Sequence, residues 1–179
     1  MEKLSEIDKN LKNQYDELVQ CLKTIEFEVQ FDIELEKNID LEKTKNLNFS
    51  GIYLFEVFIE KKDKEDWVSD FVKKWEDDLF KRHWTPNTKK KRLKQQQDAK
   101  EWMPIYLGKC RNVGKRINEH FTLDLYKQTT AMKLLARENL HGYKFRISTI
   151  KIDVFTYDWI VPIAERELRN RYNPILGRQ

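Results

Sequence analysis

Arg116 and His120 lie four residues apart in a stretch that runs Tyr106-Leu107-Gly108-Lys109-Cys110-Arg111-Asn112-Val113-Gly114-Lys115-Arg116 and on to Phe121. A guanidinium stays charged and matches a phosphate, and an imidazole takes or gives a proton near neutral pH. Four-residue spacing puts both on one side of a helix, flanking the apolar stripe Val113, Ile117 and Phe121. Such a pair can hold a phosphate and move a proton. The plainer alternative is two polar residues on a half-exposed helix, and short motifs do produce such coincidences. Three further residues bear on the choice. Tyr106 opens the stretch, and Tyr53 follows Gly51 on an earlier strand-like run. Glu165 shares the inward side of a late helix with Leu168 and Tyr172. An acid on an apolar face needs an ion pair or a metal to offset its burial. Cys110 has no assignable base or orienting partner and is not read as a nucleophile.

The elements that must carry these residues follow from periodicity. Leu4, Ile7, Leu11, Leu18, Leu22 and Ile25 recur at three-four spacing, interrupted by Gln14. They predict a helix over 3–25, packed on its own domain or, alternatively, paired in a coiled coil. Phe27, Val29, Phe31, Ile33 and Leu35 alternate with Glu26, Glu28, Gln30, Asp32 and Glu34, a strand with one apolar and one acidic face. The acidic face suits a solvent-facing edge; mimicry of DNA, or folding over the basic segment, are the other readings. Residues 38–50 are turn-like. Residues 52–59 are apolar on both faces, which predicts a central strand, and Gly51 leaves room for a close neighbour beside Tyr53. Residues 104–107 form a further strand ended by Gly108, and Asn112 is a good N-cap for the helix bearing His120. A helix is predicted over 129–137, then alternating strands over 144–148 and 149–154 with a bulge where the alternation slips. A last helix follows over 160–172, with Asp158 as a cap and Glu167 able to pair with Arg171.

Between Tyr53 and Tyr106 stand 52 residues. Trp67, Val68, Phe71, Val72, Trp75 and Leu79 predict a helix over about 64–82, and residues 81–88 break it. Asn87 or Thr88 then caps a second, strongly basic helix over 89–97. The insertion, 60–102, therefore reads as a helical hairpin with a cationic arm. Arg82, Lys89, Lys90, Lys91, Arg92, Lys94 and Gln95 are candidate DNA contacts, with Arg111 and Lys115 from the motif stretch. Trp84, at the turn, is either a core residue or a plate for a base.

The charge distribution agrees. Residues 1–50 carry 7 Lys and Arg against 12 Asp and Glu, whereas residues 81–120 carry 12 against 3. A polyanion would meet the middle of the chain rather than its start. The chain has 179 residues, enough for one domain with extensions, and 17 of them are Phe or Tyr, which argues against disorder. No apolar run reaches the length of a membrane span and the charged start lacks a secretory apolar region, so a cytoplasmic protein is expected. Two cysteines make neither a disulfide framework nor a metal-ligand spacing, and His83, His120 and His141 are scattered.

Gly51-Ile52-Tyr53, Tyr106-Leu107-Gly108 with Lys109, then Asn112, Arg116, His120, and Glu165 nine residues before Pro174 occur in the order used by the GIY-YIG nuclease superfamily. The chain resembles that superfamily over 51–59 and 104–177, with Leu107 for the usual isoleucine. It departs at Gly177, where many members carry an asparagine; Asn173 and Gln179 are the nearby amides able to stand in. The resemblance implies an α+β fold with a small, mostly antiparallel central sheet flanked by helices. An N-terminal helix and strand extension occupies 1–46, and the nuclease-like domain, 47–179, is interrupted by the insertion. It also implies hydrolysis of DNA phosphodiesters by Tyr53, Tyr106, Lys109, Arg116, His120 and Glu165. Glu165 would hold a divalent ion, Mg²⁺ or else Mn²⁺, and the base would be Tyr53, His120 or Lys109. The expected protein is a stand-alone, restriction or defence endonuclease acting on duplex DNA, as a monomer or homodimer. A catalytically silent DNA-binding module, or a protein-interaction module, is the alternative.

Overall fold

In the computed structural model, residues 1–60, 64–96 and 101–177 are described, so Gln97, at the end of the expected basic helix, and Gln179 lie outside the described residues. The elements in chain order are α1 (Glu2–Leu22), β1 (Glu28–Glu34), β2 (Gly51–Phe58), α2 (Lys64–Trp75), β3 (Asn87–Thr88), α3 (Lys90–Gln95), β4 (Trp102–Cys110), α4 (Val113–Thr122), β5 (Lys144–Lys151), α5 (Tyr157–Tyr172) and β6 (Leu176–Gly177). The fold is α+β. Four strands form an antiparallel sheet in the order β1-β5-β2-β4, and β3 pairs with β6 in a separate two-stranded ladder.

β2 lies inside the sheet because both its faces are apolar. Ile52 and Leu54 point to one side, where Val161 and Leu168 of α5 and Leu22 of α1 cover them. Phe55 and Val57 point to the other, onto Ile117 and Phe121 of α4 and Trp67, Phe71 and Trp75 of α2. Gly51 is required by a close backbone approach, since a Cβ there would stand 2.1 Å from the Ile150 carbonyl oxygen of β5.

Two bulges reset which side chains face which core. In β4, Phe55 pairs with Tyr106 and Glu56 with Pro104, leaving Ile105 as the extra residue. Proline has no N–H for the ladder, which makes this a natural place to slip. The bulge puts Tyr106 and Gly108 on the same face as Tyr53, while Leu107 turns to the α5 side. In β1 the extra residue is Gln30, between Val29 and Phe31. Phe27 accordingly meets Tyr172 of α5 edge-on at 5.1 Å, whereas Phe31 and Leu35 enter the opposite core, and Val29 is 52% exposed. The slip expected in 144–154 thus lies in the partner strand; β5 runs unbroken against β2. β1 is an edge strand, and Asp32 on its acidic face accepts two 2.8 Å hydrogen bonds from Arg146 of β5.

Four expectations for local structure need correction. α2 ends at Trp75 rather than near 82, because the Glu76 carboxylate turns to accept from the Thr88 amide at 3.2 Å and from the Thr88 hydroxyl. Asp77 then accepts from the Leu79 amide at 2.9 Å, which fixes a turn. The insertion carries its two expected helices, α2 and α3, which face each other at Val68, Val72 and Leu93, but α2 is part of the core, and Asn87 and Thr88 form β3 instead of capping α3, whose N-cap is Lys89. β3 and β6 are short because only Asn87 and Thr88 face Gly177 and Leu176. Residues 129–137 form no α-helix, only a 3-10 turn at Leu134–Ala136. Lys133 adopts a left-handed conformation with φ 59° and donates its ammonium to the Leu125 and Lys127 carbonyls. Arg137, stacked 3.9 Å over Trp75, donates to the carbonyls of Met132 and Trp75. The Thr130 carbonyl and the Met132 amide are taken by Arg116 and His120 of α4, and the remaining backbone closes short turns instead of a helix. Finally, α5 starts at Tyr157, its N-cap is Thr156, and Asp158 pairs with Arg111 at 2.9 Å instead of capping. No helix among the described residues is long and apolar enough to cross a membrane.

Candidate active site

A cavity of about 340 Å³ wraps around the outer edge of β4. Tyr53, Tyr106 and Arg116 line it from the α4 side of the sheet. Lys109, Glu165 and Arg169 line it from the α5 side, and Lys89, Arg92 and Gly177 close it from the β3–β6 side. Five cationic side chains face one carboxylate among the described lining residues. A phosphate diester or a polyanion is the ligand that such a wall attracts.

The α4 side is held by packing. Tyr53 is 1% exposed and its ring stacks on Tyr106 at 6.3 Å and 23°. Gly108 makes this approach feasible, because a Cβ there would stand 2.4 Å from the Tyr53 hydroxyl. His120 is fully buried, with its ring 4.8 Å from Tyr106 and 5.4 Å from Tyr53. The Met132 amide donates to His120 Nδ1 at 3.1 Å. An Nδ1 that accepts carries no proton, so the neutral ring carries it on Nε2. Nε2, 3.0 Å from the Tyr53 oxygen, is therefore the donor. His120 supports Tyr53 from behind and does not line the cavity, unlike its expected place flanking the stripe of α4.

α4 forms where its sequence asks for it. Asn112 accepts from the Lys115 amide at 2.9 Å, a cap of a kind contributing about 1 kcal/mol, and Val113, Ile117 and Phe121 are fully buried. One turn above them Arg116 pairs with Glu119 at 2.6 Å and donates to the Thr130 carbonyl. Burial works against the Arg116 charge, but Tyr53, Glu119 and Tyr106 outweigh it, so its pKa is raised and the guanidinium stays charged. Burial pushes the Tyr53 phenol well above its ordinary pKa; Tyr106 adds to the rise and Arg116 opposes it. Tyr53 is protonated at neutral pH.

The α5 side is held by charge. Glu165, with 16% of its side chain exposed, pairs through one oxygen with Lys109 at 3.3 Å and through the other with Arg169 at 2.5 Å. Arg169 was not among the sequence candidates, although its place four residues after Glu165 is a recognisable signal. Glu167 pairs with Arg166 at 2.9 Å, not with Arg171, which reaches across to Glu26 at 3.4 Å and to the Lys23 carbonyl. The anchors Thr130 and Met132 had no sequence signal, since they depend on the irregular path of the segment before Leu134.

The candidate DNA contacts separate into groups. Lys89 and Arg92 line the cavity. Lys90, Lys91, Lys94 and Gln95 are exposed on α3. Arg82 packs over Tyr126 at 5.0 Å, and Trp84 borders a second cavity. Arg111 stacks 4.2 Å over Tyr157, and Lys115 faces Thr44 and Asn48 on the far side of α4, so neither joins the cationic wall. At Gly177, the position of the departing residue, an added Cβ would lie 3.3 Å from the Lys89 side chain. The insertion's cations occupy that space. Asn173 ends α5 in a left-handed conformation, and its carbonyl accepts from Gln96 at 2.9 Å.

No protein-family model matches the chain, and comparison with curated proteins and with solved structures gave no match.

Proposed function

We propose that the protein is a metal-dependent endonuclease of the GIY-YIG type, hydrolysing phosphodiester bonds of duplex DNA in a restriction or defence role. The observation that carries this reading is the convergence of Tyr53, Tyr106, Lys109, Arg116 and Glu165 on one cationic cavity, although they are drawn from well-separated parts of the chain. Arg116, held charged and aimed by Glu119 and Thr130, neutralises a non-bridging phosphate oxygen. Lys109 and Arg169 exchange their pairing with Glu165 for the phosphate. Tyr53 accepts from His120, so its own hydroxyl proton points away from the imidazole and orients the attacking water.

None of the three candidate bases is ready to act in the free protein. His120 presents N–H to Tyr53, the Tyr53 phenol keeps its proton, and Lys109 is committed to an ion pair. Glu165 is the residue that would hold a divalent ion, which when bound would supply what is missing: an acidified water that attacks as hydroxide with its proton released to solvent, and stabilisation of the phosphoryl charge and leaving oxygen. The donor set fits Mg²⁺ in one specific way. No group of three acidic, His or Cys side chains is placed to hold a metal ion among the described residues. Among the described residues Glu165 would then be the single protein ligand, with water and phosphate oxygens as the remaining donors, a set that Mg²⁺ accepts.

The pairing of both Glu165 oxygens supports a second reading, a DNA-binding module that does not hydrolyse. One experiment separates the two. Supercoiled plasmid is incubated with wild type and Glu165→Gln, in Mg²⁺ and in EDTA. Nicking that requires both the metal and Glu165 is expected. Retarded but intact DNA across several metals and DNA sources transfers the conclusion to the binding module. Neither binding nor cutting rejects both.

A further inference from the structure

Beside the cationic cavity lies another of about 400 Å³ with a different lining: Trp84, His83, Asn87, Gln128, Thr129 and Thr130. None of these is a Lys or Arg, so the cavity is poorly suited to a phosphate. What it offers is a flat aromatic surface surrounded by amides and hydroxyls. Trp84 is 41% exposed, whereas Trp67 and Trp75 are at most 5% exposed. His83 meets the Trp84 ring edge-on at 5.0 Å, which fixes the indole from one side. Among the described residues, the side-chain amides of Asn87 and Gln128 have no hydrogen-bond partner in the protein.

The two cavities adjoin through two contacts. Asn87 pairs in the ladder with Gly177, which lines the cationic cavity. Thr130 contributes its side to the second cavity and its carbonyl to Arg116. A nucleic-acid strand whose phosphate lies at Arg116 therefore has a neighbouring base within reach of Trp84.

We propose that this second cavity is a nucleobase subsite, in which a base unstacked from the DNA next to the scissile phosphate lies against Trp84 with its edge toward Asn87 and Gln128. The assignment rests on the endonuclease reading. Stacking supplies affinity for any base, and the two amides, each able to donate and accept, give preference among bases. Because Asn87 belongs to the short β3–β6 ladder and Trp84 lies three residues before it, base capture also steadies the wall that carries Lys89 and Arg92.

The test uses the full chain with Trp159→Phe, which removes an indole that is 72% exposed and lines neither cavity. Tryptophan emission and affinity are read in EDTA against duplexes in which one abasic nucleotide is moved along a strand. Emission is expected to fall on binding. At one abasic position the fall should vanish and affinity should drop by roughly 10-fold. Adding Trp84→Ala should cause the same drop and make that abasic position silent, and Trp84→Phe should retain most of the affinity. Binding that is indifferent to every abasic position, or to Trp84→Ala, overturns the subsite and leaves the endonuclease reading intact. A parent protein that binds no duplex overturns both.

Discussion

The two walls of the cationic cavity are built on different principles. On the α4 side, Tyr53, Tyr106 and His120 are core residues whose orientation is set by ring packing and by buried hydrogen bonds. On the α5 side, Lys109, Glu165 and Arg169 are partly exposed and joined to one another by ion pairs. A wall made by packing cannot rearrange without disturbing the fold; a wall made of ion pairs can exchange partners when a phosphate or a cation arrives. The cavity thus joins a fixed orienting surface to a reconfigurable charged one. Substitutions on the two sides should fail in opposite ways.

The largest effect is expected on the packed side. His120→Ala leaves a cavity, strands the Met132 amide and removes the donor to Tyr53, at a cost of about 2–4 kcal/mol. That corresponds to a fall of roughly 5–15 °C in Tm. His120→Gln, whose amide can accept from Met132 and donate to Tyr53, should recover part of it. A thermal melt of the two variants checks this; an Ala variant as stable as wild type would remove the idea of a fixed wall. Glu165→Gln should do the reverse. It loses the charge of a mostly buried carboxylate but keeps an acceptor oxygen for Lys109 or Arg169, so Tm falls less than in His120→Ala, while Mg²⁺-dependent nicking falls by more than ~100-fold and DNA binding persists. If Glu165→Gln cuts normally, the carboxylate holds no catalytic ion.

The same division explains what was legible in the sequence. The motif strands, the Asn112 cap and the α4 stripe could be read because each is a local pattern that the core then satisfies. The convergence of Tyr53 with Tyr106 depends on the bulge at Ile105, of which Pro104 is only a hint. The helix expected over 129–137 does not form because Lys133 and Arg137, surface types by charge, are fully buried and donate to carbonyls outside any helical register, at Leu125, Lys127 and Trp75. Nothing local announces that. On the charged side, Arg169 is legible as the i+4 partner of Glu165, but an inward carboxylate is offset equally by a metal or an ion pair, and its local pattern does not distinguish them.

Arg169→Ala sharpens the contrast at smaller amplitude. It frees one Glu165 oxygen and removes one of the five lining cations. The Mg²⁺ concentration giving half-maximal nicking should fall a few-fold, on the order of 1 kcal/mol or less. The dependence of log K on log salt should become shallower by about 1. An unchanged Mg²⁺ midpoint would mean that the Arg169–Glu165 pair does not compete with the ion.

The smallest effect is expected away from both walls, where charge has been placed in a packed site without being exchangeable. Glu56 is paired in register with Arg146. Burial raises the pKa of its carboxyl; Asp32 adds to the rise and Arg146 opposes it. An acid whose pKa is raised by folding binds its proton more tightly in the native state. Its stabilising contribution is therefore full below the unfolded pKa and lost as pH climbs through the folded one. At neutral pH the ionised group is a burden. Glu56→Gln should raise Tm slightly at pH 7 to 8, by no more than about 2 °C, and the advantage over wild type should disappear near pH 4, where Glu56 is protonated in any case. Melts across that range decide it. An advantage independent of pH would trace to shape rather than charge, and a loss at neutral pH would show that Arg146 needs this second carboxylate beside Asp32.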